Sequence, residues 1–152
     1  MDGMVFPGPD PVREEKIGEL EIGTPAAVVV EKHGEPKKKD RIEMQEATGD
    51  YVQTWSYPDQ GLTLGMYSDS RKSAQTIGAI TIKAPSTLTT KLGVGIGSPR
   101  KVVLDAYGKM RDPEFPSGDK EEVFLAGSIY GGIFFTFKKD KVSEIFLGAG
   151  AE

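Results

Sequence analysis

Apolar positions along this chain follow two different periods, and each predicts a different element. Strict alternation runs through Tyr51–Tyr57, setting Tyr51, Gln53, Trp55 and Tyr57 on one face and Val52, Thr54 and Ser56 on the other. A turn, Pro58-Asp59-Gln60-Gly61, leads into Leu62–Tyr67, where Leu62, Leu64 and Met66 share a face. Arg71–Gln75 reads as a loop, and Thr76–Ile82 carries the β-branched run Ile77, Ile80 and Ile82. Later in the chain Val123–Tyr130, Ile133–Phe137 and Val142–Leu147 have the same strand character. Gly131-Gly132 and the charged run Lys138–Lys141 are the predicted turns between them.

Two stretches have helical spacing instead, and they are nearly the same stretch. Ile22 to Gly34, IGTPAAVVVEKHG, returns as Ile96 to Gly108, IGSPRKVVLDAYG, 74 positions on (96 less 22). Thr24 and Ser98 stand where N-caps are expected, with Pro25 and Pro99 at the first helical position. Val28, Val29, Val102 and Val103 supply a buried stripe, and Gly34 and Gly108 are expected to end each helix in the left-handed conformation. Each helix spans about ten residues, too few to stand without packing. The strands keep the same order: Gly61-Leu62 matches Gly132-Ile133, 71 on, and Ile77, Ile80 and Ile82 match Val142, Ile145 and Leu147, 65 on. The expected fold is α+β. Two tandem helix-plus-antiparallel-sheet repeats, residues 16–86 and 87–152, form one continuous curved sheet with the helices on one face, after a flexible leader over residues 1–15.

Composition narrows the function classes. The net charge is −4, and the one basic run, Lys37-Lys38-Lys39, is followed by Asp40 and Glu43, so no basic surface for nucleic acid is expected. We read that run as a solvated loop. The chain has no cysteine, which excludes disulfides, thiolate nucleophiles and cysteine-based metal sites. No run of about 18 apolar residues predicts a membrane helix, and the start of the chain lacks the pattern of a signal peptide.

The unit apolar-Gly-x-x-x-x-Val-x-x-x-x-Gly, Ile22-Gly23 through Val28 to Gly34 and Ile96-Gly97 through Val102 to Gly108, each followed by antiparallel strands, resembles tandem-repeat beta-lactamase inhibitor proteins (BLIP-like) and small outer-membrane lipoproteins of the SmpA/OmlA type. The resemblance covers about residues 16–150. It implies a non-enzymatic module that binds a protein or peptide through its sheet, in the cell envelope or outside the cell. The chain lacks the disulfides of the inhibitor and the lipidated cysteine of the lipoproteins.

Candidate chemistry is sparse. The single histidine, His33, precedes Gly34 at a helix end, where an imidazole complements the helix dipole. With no second histidine and no cysteine, it has no metal-ligand spacing. Asp50 and Asp59 flank the aromatic strand and read as turn residues, and Glu121-Glu122 point to opposite faces of a strand. The glycines of Leu92–Pro99 lack the Lys-Ser/Thr of a phosphate loop and read as close packing between repeats. We expect no cofactor, no metal and no catalytic residue. The aromatics are the stronger candidates: Tyr51, Trp55, Tyr57, Tyr67, Tyr130 and Phe134. They either cover the helix as core or form a solvent-facing surface of the kind enriched at protein-binding hot spots. The binding-face reading expects Trp55 and Tyr57 to be partly exposed and opposite the helices. The alternatives are a ligand-binding or hydrolytic site in the cleft between repeats, near His33, Asp50 or Asp59, or a self-associating domain.

Overall fold

The computed structural model describes residues 15–112, 122–128 and 131–149. Its elements are helices α1 (Ala26–His33) and α2 (Arg100–Tyr107) and eight strands. The strands are β1 (Lys38–Lys39), β2 (Glu43–Met44), β3 (Tyr51–Tyr57), β4 (Leu62–Ser68), β5 (Thr76–Lys83), β6 (Val123–Ser128), β7 (Gly131–Lys138) and β8 (Lys141–Gly148). They form one antiparallel sheet in the order β1-β3-β4-β5-β8-β7-β6, with β2 also on β3.

Alternation decides the faces. Tyr57, Trp55 and Gln53 of β3 lie directly opposite Leu62, Leu64 and Met66 of β4, and directly opposed residues share a face. That face continues through Ile77, Ile80 and Ile82, then Leu147, Ile145 and Val142, then Ile133, Phe135 and Phe137, and closes on Phe124 and Ala126. Val29 of α1 and Val103 and Tyr107 of α2 complete the core on this side, with the Tyr107 and Phe135 rings 5.0 Å apart. The sequence reading kept Trp55 and Tyr57 apart from Leu62, Leu64 and Met66. Their pairing makes them one layer, so Trp55 and Tyr57 are core, 2% and 4% exposed, rather than a free face opposite the helices.

The helix ends differ from expectation too. Thr24 and Ser98 do not cap the helices: Thr24 Oγ1 accepts from the Glu21 amide and Ser98 Oγ from the Gly95 amide, both upstream. Pro25 and Pro99 occupy the cap position in extended conformation. The first amides go to the sheet instead, Ala26 N–H to the Gln75 carbonyl and Arg100 N–H to that of Asp140. A carbonyl at a strand start is within reach in each case and replaces the side-chain cap. Around each start the backbone is clipped twice more. Gly23 N–H donates to the Ile77 carbonyl and Ile77 N–H to Thr24; Gly97 N–H donates to Val142 and Val142 N–H to Ser98.

Gly34 ends α1 with φ +81, whereas Gly108 has φ −56 and continues into a 3₁₀ turn over Gly108–Met110. Proline follows at position 36 and forbids such a continuation; Met110, at the matching place, allows it. Val29 and Val103 are buried, but Val28 is half-buried and Val102 is 39% exposed, because an eight-residue helix presents one narrow stripe to the sheet.

Register slips fall in both hairpins that flank the central β5–β8 pairing. The β4–β5 register slips between Gly65 and Met66, leaving Gly78 unpaired, and the β7–β8 register slips between Thr136 and Phe137, leaving Ser143 unpaired. Lys139 and Asp140, both at positive φ, make the expected two-residue hairpin turn. Gly131-Gly132, expected as a turn, belong to β7 and pair with Ser128 and Gly127. Lys38 and Lys39, expected in a loop, form β1 against Ser56 and Trp55. Glu15, placed in the flexible leader by the sequence reading, is buried at 4% exposure and part of the fold. Residues 1–14 lie outside the described residues.

Candidate functional site

The face opposite the helices carries the alternate residues of each strand. One straight row crosses six strands there: Ser56 beside Thr63, Thr63 beside Thr81, Thr81 beside Phe146, Phe146 beside Phe134, and Phe134 beside Leu125. At the usual strand spacing the row is roughly 24 Å long. Its first half is hydroxyl-bearing and its second half apolar. The Phe134 and Phe146 rings meet edge to face at 5.7 Å, both half-buried, while Leu125 is fully buried. The only charges opposed within the β5–β8 pairing are Lys83 and Glu144, at one end of it.

Beside this row lies a second one of small residues, Gly65 next to Ala79, and Gly148 next to Gly132 and Gly127. Rings lie over it. A Cβ at Gly78 would stand 2.6 Å from Cγ and Cε1 of Tyr67, and one at Gly148 would meet Cζ of Phe146 at 3.3 Å. Glycine here lets aromatic side chains lie flat on the sheet, which is why Tyr67 and Phe146 are half-buried on an outward face.

The sequence candidates therefore divide. Tyr67 and Phe134 are on this outer face. Trp55 and Tyr57 are in the core, and Tyr51 shares their side of β3, half-buried with the Arg71 guanidinium 5.3 Å from its ring. Tyr130 lies outside the described residues. Phe146 and Thr81, at the middle of the row, were missed; alternation around Ile145 and Leu147 places Phe146 opposite the core and was the available signal.

The polar ends of the buried aromatics are all used. Trp55 donates from Nε1 to Gln53 Oε1 at 2.8 Å, with the Lys39 ammonium 4.5 Å above its ring. Tyr57 donates to the Gly34 carbonyl at 2.8 Å; burial, and then the nearby Glu35 carboxylate, push its phenol up to about 12. His33 Nδ1 lies 2.7 Å from Gln60 Oε1, and its ring edge faces Tyr57 at 6.2 Å. Tyr107, at the place His33 holds in α1, is fully buried, and its hydroxyl donates to Glu15 Oε1 at 2.7 Å. Burial, with the Glu15 carboxylate adding to it, holds that phenol well above its ordinary value. Both shifts carry the phenols further from neutrality, away from the range useful for acid–base work.

The cleft reading finds little here. An open depression of about 450 Å³ is lined by Asp40, Arg41, Glu43, Gln45, Val52 and Thr54. None of His33, Asp50 or Asp59 borders it, and its charges are matched locally, Arg41 with Glu43 at 3.3 Å and Asp40 with Lys38 at 3.7 Å. Asp50 and Asp59 flank opposite ends of the seven-residue β3, roughly 20 Å or more apart at the strand rise, and do not face one another. Glycines 93, 95 and 97 meet no phosphate-loop geometry: Gly95 packs against the Leu88 carbonyl and Thr89 Cγ2, each 3.1 Å from where a Cβ would stand. Among the described residues no cluster of three His, Asp or Glu side chains could hold a metal ion, and no helix is long and apolar enough to cross a membrane. No protein-family model, curated protein or solved structure matches this chain.

Proposed function

We propose that this protein is a non-enzymatic binding module that engages a protein or peptide on the sheet face opposite its helices. The observation that carries this reading is the row Ser56–Thr63–Thr81–Phe146–Phe134, whose hydroxyl strip and aromatic pair lie end to end on an outward face. An apolar anchor beside a hydrogen-bonding strip suits a partner segment that is itself apolar at one end and polar at the other. On the helix side Trp55, Tyr57, Tyr107, Phe124, Phe135 and Phe137 are taken up by the core.

We further propose that the module is a duplicated unit, as the sequence repeat suggests. The backbone clips at Gly23/Ile77/Thr24 and Gly97/Val142/Ser98 support it, as do the bulges at Gly78 and Ser143; both sets obey the offsets of the sequence match. The resemblance to lactamase-inhibitor and lipoprotein repeats favours a place in the cell envelope or outside the cell.

The test is selection of displayed peptides on the intact protein, followed by affinity measurement on variants. Phe146→Ala and Phe134→Ala are expected to weaken the selected peptides by tenfold or more, and Lys101→Ala, on the exposed side of α2, to leave them unchanged. Equal binding to all three variants would remove the outer face from consideration.

A further inference from the structure

We infer that the seam between β5 and β8 is a self-complementary interface across which the two halves of the chain recognise each other as separable partners, each half fitting a second copy of itself. The inference rests on the proposed duplication and goes beyond it. If Ile80 corresponds to Ile145 and Ile82 to Leu147, the seam has a particular form. Ile80 pairs with Leu147, the counterpart of Ile82, and Ile82 pairs with Ile145, the counterpart of Ile80. Thr81 pairs with Phe146, its own counterpart. That is the register of an isologous contact, in which residue i meets j and j meets i about a two-fold axis, here passing by the Thr81–Phe146 pair. A duplication whose halves merely sat side by side in a sheet has no reason to adopt it, since a shift of two residues would keep every isoleucine facing the core.

A second contact obeys nearly the same exchange. Ile17, before α1, bridges to Thr90, before α2, and the counterpart of Ile17 at the sequence offset is Lys91. Gly18 N–H donates to the Thr89 carbonyl, and on the other side the Lys91 N–H donates to Glu15 Oε2 at 2.7 Å. Both halves thus bring a helix, a hairpin, a bulge and a last strand, and each meets the other through the same two segments. The covalent link, Ala84–Thr87, lies at the margin of these contacts and not within them, with Ala84, Pro85 and Thr87 exposed.

The experiment is to insert a protease recognition sequence after Thr87 in the full chain and cut the folded protein. Cut protein is expected to elute without a shift and with no loss of its far-ultraviolet sheet signal. Ile82→Ala, which removes contacts at the seam, is expected to weaken association of the cut halves by on the order of a hundredfold while the uncut variant stays folded. If the insertion unfolds the uncut chain, the exposed Ala84, at the other end of the same link, takes it instead. Halves that part on cutting at micromolar concentration, or an Ile82→Ala seam as tight as the original, overturn the inference while leaving the duplication intact. A separate chimera, with the Ile77–Ile82 sequence in place of Val142–Leu147, probes the duplication: it is expected to fold, and its failure to fold overturns both.

Discussion

The carboxylate of Glu15 accepts a 2.7 Å hydrogen bond from the phenol of Tyr107, 92 positions further along the chain. Its other oxygen accepts from the backbone amides of Lys91, at 2.7 Å, and Lys16, at 3.1 Å. Three donors converge on one buried group that can only accept while it is a carboxylate. Glu15→Gln keeps the shape but turns an amide NH₂ toward donors. We expect a loss of about 1–3 kcal/mol in urea unfolding, the cost of buried donors left without partners. Tyr107→Phe is expected to cost about 1.5–3 kcal/mol, and the double variant less than the sum, because both remove the same bond. Strictly additive losses would show that the two groups do not depend on one another.

Two glycines give opposite expectations for the same substitution. Gly61 follows a 3₁₀ turn over Pro58–Gln60 at φ +61, and a Cβ there would collide with the Lys83 carbonyl and lie 2.6 Å from the Ser86 amide nitrogen. Neither backbone group can swing aside as a side-chain tip would. Gly61→Ala is expected to cost at least about 2 kcal/mol, with the left-handed conformation alone contributing about 1–2. Gly108 sits in helical conformation with nothing within 4 Å of its missing Cβ. Gly108→Ala is expected to stabilise by about 0.5–1 kcal/mol, through lower chain entropy in the unfolded state. Thermal melts of the two variants should move in opposite directions.

The contrast between those glycines also marks what the sequence could and could not carry. Alternation and β-branched runs located the six longer strands, and the repeated stretch from Pro25 to Gly34 and from Pro99 to Gly108 located both helices, since these are local consequences of chain geometry. Which face the helices cover is a property of strand pairing. Tyr57 and Trp55 looked separable from Leu62 and Leu64 until the β3–β4 register set them opposite one another. The capping hydroxyls failed for a related reason, as the sheet carbonyls of Gln75 and Asp140 came within reach only after folding. Strands β1 and β2, two residues each, have no period to read. The outer face was partly legible: Phe134 and Tyr67 were named, whereas Phe146 needed the parity of β8.

Trp55 is the only tryptophan, so its fluorescence reports one place in the fold. It is 2% exposed, with the Lys39 ammonium above the ring and its indole N–H bound to Gln53. Emission is expected to be blue-shifted relative to a solvated indole and resistant to iodide quenching. Lys39→Ala uncovers one ring face and is expected to raise quenching and cost about 0.5–1 kcal/mol, the range for a cation over an aromatic ring near the surface. A red, freely quenched emission from the native protein would return Trp55 to the surface and overturn the core assignment.

Tyr57 makes alkaline stability depend on pH with a definite sign. Its phenol titrates near 10 in an unfolded chain and is pushed up to about 12 in the fold, by burial first and the Glu35 carboxylate second. Below pH 10 both states keep the proton and the contribution is complete. Between the two values the unfolded chain releases a proton that the folded protein retains, so stability falls as pH rises, and it levels off once the folded phenol ionises as well. Two pH units correspond to a loss of roughly 2–3 kcal/mol. Tyr57→Phe is expected to cost about 1 kcal/mol at neutral pH, from the lost bond to the Gly34 carbonyl, and to flatten most of this alkaline slope. Some slope remains, because Tyr107 is displaced in the same direction. Urea midpoints for both proteins across the alkaline range check the point directly. Parallel slopes would mean that Tyr57 ionises as readily in the fold as out of it, and that its hydroxyl is not held against the end of α1.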